Sequence, residues 1–275
     1  MFVAKTKLEL TEKLKEWAGE SIGFVPTMGA LHDGHASLVS RSVEDCDVSV
    51  VSIFVNPKQF NNVSDLENYP NTLSQDLILL ESLGCHLVFT PSKEEVYDGF
   101  EGVSLDIGSL AEVMEGEFRP GHFKGVVDVV YRLFDLINPQ KAFFGLKDFQ
   151  QVSVLKFMVN HFELPVELVA CPTIREENGL AKSSRNLRLS DDEKISAKII
   201  FKAMKLAKEW MRFYTISETK DKIVQLIEEK GLKIEYVSIV DPNTLQDKTS
   251  WNDASHVCIV AHCGDVRLID NLSLN

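Results

Sequence analysis

Two histidines, His32 and His35, stand in the segment Pro26-Thr27-Met28-Gly29-Ala30-Leu31-His32-Asp33-Gly34-His35. The apolar run Ile22–Val25 before them reads as a buried strand, and residues 36–46 after them as a helix. The pair therefore opens a helix, where unpaired N–H groups and partial positive charge suit a polyphosphate. Imidazoles can donate to phosphate oxygens. Gly29 and Gly34 let a base and ribose come close to the backbone. Two other readings stay open on these residues alone: histidines that merely begin a helix, and part of a zinc site with no third ligand nearby in sequence.

Three further groups have similar settings. Ser52-Ile53-Phe54-Val55-Asn56-Pro57-Lys58-Gln59-Phe60 follows an apolar strand, and ligands of open α/β sheets gather at the carboxyl ends of strands. Asn56 and Gln59 offer neutral amides that donate to and accept from a hydroxy acid, with loop capping as the plainer alternative for each. Phe144-Gly145-Leu146-Lys147-Asp148-Phe149-Gln150-Gln151 again joins a strand end to a helix. Lys147 puts a cation where a transferring phosphoryl group needs one, and Asp148 is also a candidate N-cap. Gly179-Leu180-Ala181-Lys182-Ser183-Ser184-Arg185-Asn186 sets two hydroxyls and an arginine in a polar loop. That pattern suits a phosphate clamp or an ordinary linker.

These groups need a frame. Up to residue 172 short apolar runs alternate with helical patterns. Residues 48–55, 86–89, 142–144 and 166–170 read as strands, while 73–83 and the stripe Val126, Val130, Leu133, Ile137 read as helices. This order predicts an α/β fold, a parallel sheet with helices on both faces. A polar loop over 173–190 follows, then a helix carrying Ile195, Ile199, Ala203, Leu206 and Trp210, and another over 217–230. Three β runs, 234–240, 256–261 and 266–269, close the chain. The spacing predicts domains over 1–172 and 173–275, the second a smaller α+β domain.

Composition narrows the function classes. The 275 residues are 44% hydrophobic and 25% charged, with a formal net charge of −12. That balance lacks the basic footprint of nucleic-acid binding, so an anionic substrate must be held by a few local cations. Cys46, Cys85, Cys171, Cys258 and Cys263 form no C-x-x-C pair and are odd in number, which predicts free thiols and a reducing, cytoplasmic setting. Neither a signal-peptide core nor an apolar run near the ~20 residues of a membrane span is visible. His256, Cys258, His262 and Cys263 lie in an apolar run and read as packing more than as a metal cluster.

In this order the four groups resemble the pantoate–β-alanine ligases, or pantothenate synthetases. The resemblance is carried by Pro26–His35, Ser52–Phe60, Tyr69-Pro70 with Thr72, Arg119-Pro120-Gly121-His122-Phe123, Phe144–Gln151, Ser183–Asn186 and Arg267-Leu268-Ile269-Asp270-Asn271. It runs through nearly the whole chain. His-x-Gly-His alone would indicate only the wider nucleotidyltransferase group, which includes class I aminoacyl-tRNA synthetases.

The resemblance implies a Rossmann-like N-terminal domain, a C-terminal lid domain and a homodimer. It implies that the carboxylate of (R)-pantoate attacks the α-phosphate of ATP, giving pantoyl-adenylate and pyrophosphate. The amine of β-alanine then attacks the activated carbonyl, releasing AMP and pantothenate. Magnesium (Mg2+) accompanies the ATP. ATP contacts are implied for Thr27, Met28, Gly29, Ala30, Leu31, His32, Asp33, Gly34, His35, Gly145, Leu146, Lys147, Asp148, Ile174, Lys182, Ser183, Ser184 and Arg185. Among them, His32, His35 (as proton donor), Lys147, Ser183, Ser184 and Arg185 carry catalytic roles, and Asp148 takes ribose hydroxyls. Met28, Gln59, Phe60 and Gln151 are implied as pantoate contacts.

Three positions depart from the family pattern. Asn71 replaces an arginine, Gln75-Asp76 replaces an acidic pair and leaves Asp76 alone as a magnesium contact, and Lys182 replaces an apolar residue. Lys182 is expected to reach the phosphates or the edge of the nucleotide. Two rival functions are another adenylyltransferase and an inactive nucleotide-binding homologue. A phosphate-bearing substrate would want Arg or Lys at Gln59 and Gln151, and an inactive homologue would have lost His35, Lys147 or the Ser-Ser-Arg clamp.

Overall fold

The structure, a computed structural model, describes residues 1–275 apart from the side chains of Val63 and Ser64. Six strands build a first sheet: β1 (Phe2–Ala4), β2 (Ile22–Thr27), β3 (Val48–Ile53), β4 (Leu87–Phe89), β5 (Lys141–Gly145) and β6 (Glu167–Cys171). Their order is β1-β4-β3-β2-β5-β6, every pair parallel. Side chains alternate between its faces. Phe24, Val50, Leu87 and Ala142 join one buried cluster with Val126, Val130 and Leu133 of the helix His122–Ile137. Val25, Val51, Val88 and Phe143 join another with Leu38 and Val39 of the helix Asp33–Asp45. Both faces are thus covered, as the unbroken apolar strands predict.

From β2 the chain steps outward through β3 to β4, then returns to the other side of β2 as β5. Such a reversal makes a switch point at the carboxyl ends of β2 and β5, where open α/β sheets hold ligands. Pro26 helps to open it. The Ile22 carbonyl accepts from Gln140 on the β5 side, and the Thr27 carbonyl from Phe54 on the β3 side. Alternate residues therefore face alternate neighbours, and Pro26 faces β5. Proline has no N–H to donate. Pairing with β5 is registered at Gly23–Lys141 and Phe24–Ala142, whereas pairing with β3 continues to Thr27–Ile53.

By its internal contacts the chain divides into two units: Met1–Leu146 with Gln151–Pro172, and Lys147–Gln150 with Thr173–Asn275. The second contains an antiparallel sheet, β7 (Lys233–Val240), β8 (His256–Cys263) and β9 (Val266–Ser273), in that order. Val257, Ile259 and Ala261 of β8 pack with Ile200, Ala203 and Met204 of the helix Ile199–Trp210 and Ile223 of the helix Ile216–Glu228. The long helix expected through Ile195 is instead two, Asp191–Ala197 and Ile199–Trp210, and Ile195 is 56% exposed. Ser190 and Glu193 form a capping box that starts the first piece. No helix among the described residues is long and apolar enough to cross a membrane.

Candidate active site

The histidine turn is built from the end of β2. Buried Thr27 donates its hydroxyl to the Ser52 carbonyl at 2.7 Å and accepts from the Gly29 N–H at 3.2 Å. The chain then bends through Gly29 at φ +81° and Ala30 at φ +50°. His32 is extended and caps the helix Asp33–Asp45: its Nδ1 accepts from the Gly34 N–H at 3.1 Å. The His32 N–H in turn donates to His35 Nδ1 at 3.4 Å. The two rings lie 4.2 Å apart, tilted by 40°. A ring nitrogen that accepts an N–H carries no proton, so in each neutral imidazole the proton is on Nε2. Helix-start and phosphate readings thus use different nitrogens of the same rings. Nδ1 closes the helix end, and Nε2–H is a donor of the kind that phosphate oxygens accept.

A second set of side chains gathers at the end of β3. Asn56 is 1% exposed. Its Nδ2 donates to Gln59 Oε1 at 3.1 Å and to the Gly125 carbonyl at 3.0 Å. Its Oδ1 accepts from the Lys58 N–H at 3.2 Å and the Tyr97 hydroxyl at 2.8 Å. With Oε1 so engaged, Gln59 presents Nε2 to the Met28 sulfur at 3.1 Å. The Gln59 carbonyl accepts from His122 Nδ1 at 2.8 Å and from Arg119 Nη2 at 3.4 Å. Phe60 meets the Tyr69 ring edge-on at 5.8 Å. The helix His122–Ile137 comes so near that a Cβ on Gly125 would overlap the Lys58 carbonyl. The structure therefore brings Met28 and Gln59 together, braced by Asn56, Arg119, His122 and Gly125. Arg119 and His122 stand in a motif that carries the resemblance but were given no role, and Gly125 was missed; a lone glycine inside an apolar helical stripe was its available signal. Gln151, also in this unit, is half-buried on the helix Phe149–His161.

Asp76 and two of the departures from the family pattern, Asn71 and Gln75, have clear placements. Asn71 and Gln75 are exposed, whereas Asp76 is 3% exposed. Its two oxygens accept from the N–H groups of Ala30 and Leu31. A carboxylate turned onto the backbone in this way does not fit a protein-held magnesium ion. Among the described residues no group of three or more His, Cys, Asp or Glu is arranged to hold a metal.

Within the second unit, Lys147 follows Gly145-Leu146 on a short 3-10 turn, Leu146–Asp148. Its carbonyl accepts from Asn271 Nδ2 at 2.8 Å, and its ammonium lies 3.7 Å from Asp148 Oδ1. Asn271 Oδ1 accepts from His256 Nε2 at 2.8 Å, and the His256 ring stacks on Phe149 at 3.8 Å and 9°. Burial pushes His256 below its ordinary pKa, with the Asn271 hydrogen bond opposing.

The serine-arginine loop is anchored from below. Arg175 grips Asp270 with two hydrogen bonds of 2.6 and 2.9 Å, donates to the Gly179 carbonyl at 3.2 Å and lies 4.0 Å over the Phe201 ring. Burial raises the Asp270 pKa, and Arg175 works against that rise. Arg175 also bridges to Ala181, and the Lys182 N–H donates to the Ile174 carbonyl at 2.9 Å. Ser183 then caps the 3-10 turn Ser184–Arg188, accepting from the Arg185 N–H at 3.3 Å. Lys182 Nζ pairs with Glu176 at 2.9 Å. The closing Arg267-Leu268-Ile269-Asp270-Asn271 motif is thus structural in three ways: Asp270 holds Arg175, Asn271 holds Lys147, and Arg267 holds Glu235 at 2.6 Å. His262 shares Glu235 at 2.7 Å. All five cysteines are buried thiols outside any disulfide, and burial pushes the Cys85 thiol up to about 12.

A family model described as Pantoate-beta-alanine ligase matches residues 2–273. The chain belongs to the pantoate-beta-alanine ligase family. Relatives in this family include the pantothenate synthetase of Porphyromonas gingivalis, 49% identical over 260 residues that cover 92% of this chain and 91% of the relative. That of Bacteroides thetaiotaomicron is 49% identical over 257 residues, with coverage of 92% and 91%. The solved pantothenate synthetase of Thermus thermophilus superposes with a TM-score of 0.92 at 39% identity, covering 100% of this chain and 99% of its own. A Francisella tularensis pantoate-beta-alanine ligase, complexed with beta-gamma ATP and beta-alanine, superposes at 0.84 with 34% identity, covering 100% and 98%. The ligase family's α/β fold is therefore shared along the full length of the chain.

Proposed function

We propose that this protein joins (R)-pantoate to β-alanine at the expense of ATP. The observation that carries the proposal is the paired histidine cap at the carboxyl end of β2, with the Met28–Gln59 contact in the same unit. A phosphate site and an amide-lined hydroxy-acid site are the two recognition elements that carboxylate adenylation needs. Membership of the ligase family over nearly the whole chain supports this reading over another adenylyltransferase or an inactive homologue.

In the first step a pantoate carboxylate oxygen bonds to the α-phosphorus, and the bond from that phosphorus to the bridging oxygen breaks, releasing pyrophosphate. Positioning and charge stabilisation supply the catalysis. His32 and His35 donate through Nε2 to phosphate oxygens, with His35 as the proton donor. Lys147, Ser183, Ser184 and Arg185 stabilise the charge that passes to pyrophosphate. Residues 27–31, Asp33, Gly34, Gly145, Leu146, Ile174 and Lys182 complete the ATP contacts, and Asp148 takes the ribose. Gln59 and Gln151 bind the hydroxyls and carboxylate of pantoate, while Met28 and Phe60 meet its dimethyl carbon. In the second step the β-alanine amine bonds to the acyl carbon, AMP leaves with the C–O electron pair, and the nitrogen sheds a proton. No cysteine nucleophile is required, consistent with five buried thiols. Magnesium enters with ATP as part of the substrate. A lid role for the second domain, a homodimer and a cytoplasmic location complete the proposal.

The test is an assay of purified protein with ATP, magnesium, D-pantoate and β-alanine, following AMP, pyrophosphate and pantothenate. Pantothenate and AMP formed in equal amounts support the function. Absence of pantothenate refutes it.

A further inference from the structure

We propose that Asp76 is a positioning residue for the histidine turn, the group that holds Met28 to Leu31 in their ligand-ready shape, and not a magnesium ligand. Its oxygens divide between two consecutive backbone donors: Oδ2 accepts from the Ala30 N–H at 3.0 Å and Oδ1 from the Leu31 N–H at 2.9 Å. Those donors converge on one carboxylate through a turn in which Gly29 and Ala30 both take left-handed φ, +81° and +50°. Glycine accepts that region freely, but alanine disfavours it, so Ala30 stays there only when something holds it.

Asp76 is itself held. It lies one turn into the helix Leu73–Ser82, its N–H donates to the Thr72 carbonyl at 2.9 Å, and the Thr72 hydroxyl lies 3.1 and 3.2 Å from its two oxygens. Three donors on two oxygens, at 3% exposure, commit the carboxylate to the turn. Gly29 fits the same arrangement, since a Cβ there would stand 3.1 Å from Asp76 Oδ2 and 3.1 Å from Ile53. The Tyr69-Pro70-Asn71-Thr72 segment thereby gains a purpose, which is to place Thr72 beneath Asp76.

The inference rests on the proposal that ATP phosphates meet the histidine turn, and the experiment separates the two. ATP affinity is measured by calorimetry without magnesium for wild type, His35→Ala and Asp76→Asn, and the magnesium concentration giving half-maximal turnover is measured for wild type and Asp76→Asn. An asparagine retains one acceptor and turns an N–H2 toward the other donor. Magnesium-free ATP affinity should then fall about tenfold, the scale of one buried donor left unpaired, with the magnesium requirement unchanged. Wild-type ATP affinity in Asp76→Asn, or a raised magnesium requirement with intact magnesium-free binding, overturns the positioning role. If Asp76→Asn does not fold, Thr72→Val carries the test: a roughly threefold weaker magnesium-free affinity supports the role, and an unchanged one overturns it. His35→Ala binding ATP as tightly as wild type would overturn the reading of the turn on which the inference rests.

Discussion

The side-chain amide of Asn271, on β9, donates to the main-chain carbonyl of Lys147 at 2.8 Å. The same amide accepts from His256, whose ring stacks on Phe149. Two residues of the second sheet thus set the turn that carries the lysine. Asn271→Ala leaves that carbonyl without its donor and should lower turnover by about tenfold, with the KM for pantoate near the wild-type value. Steady-state kinetics with each substrate varied in turn checks the split.

His256 makes the second unit acid-sensitive. Its native pKa is lowered by burial, so below the ordinary value near 6.5 the unfolded chain binds a proton that the native ring resists. Its stabilising contribution is whole above pH ~6.5 and declines as pH falls from there toward the depressed native value. Thermal midpoints at pH 7.5 and 5.5 should differ less in His256→Gln than in wild type. An equal difference would show that this ring does not contribute.

Gly125→Ala places a methyl group against the Lys58 carbonyl. The neighbouring Gln59, which meets Met28 with its amide and His122 with its carbonyl, would have to shift with its backbone. The variant should show a KM for pantoate raised by about tenfold and a melting temperature lowered by a few degrees, the usual response to overpacking. Kinetics and thermal melts together check it.

Loss of a preorganised donor to developing charge lowers turnover by about 10²-fold or more. His35→Ala and Lys147→Ala should each show that loss. His32→Asn divides the two duties of its ring: asparagine is a good helix cap but lacks the Nε2 donor. That variant should melt near the wild-type temperature while turning over at least about tenfold more slowly. Near-normal turnover in all three would refute the assigned roles.

Much of this was legible in the sequence because local signals agreed. Doubly buried strands such as Val48–Ile53 announce a parallel sheet, and the spacing of Leu38, Val39 and Ser42 announces a helix on one face. The histidine turn was visible because a strand ends and a helix begins within a few residues. Other features depend on partners far away in the chain. The resemblance implies a metal contact at Asp76, and no sequence pattern shows the Ala30 and Leu31 N–H groups that its carboxylate accepts from. Arg175 is likewise fixed by a partner far along the chain, Asp270, 95 residues away. β1, only Phe2–Ala4, is too short for any periodicity to reveal; its pairing with β4 defines it.

The backbone passes between its two units at Leu146/Lys147, at Gln150/Gln151 and at Pro172/Thr173. A gene split after codon 172 would therefore not yield two self-sufficient modules. The upstream product would carry Lys147 and Phe149 without Asn271 and His256, and the downstream product would present a sheet stripped of the four-residue insert that packs on it. Shuffling of the second unit among relatives should succeed only when Lys147–Gln150 travel with it, which makes the insert and residues 173–275 together the natural unit of exchange.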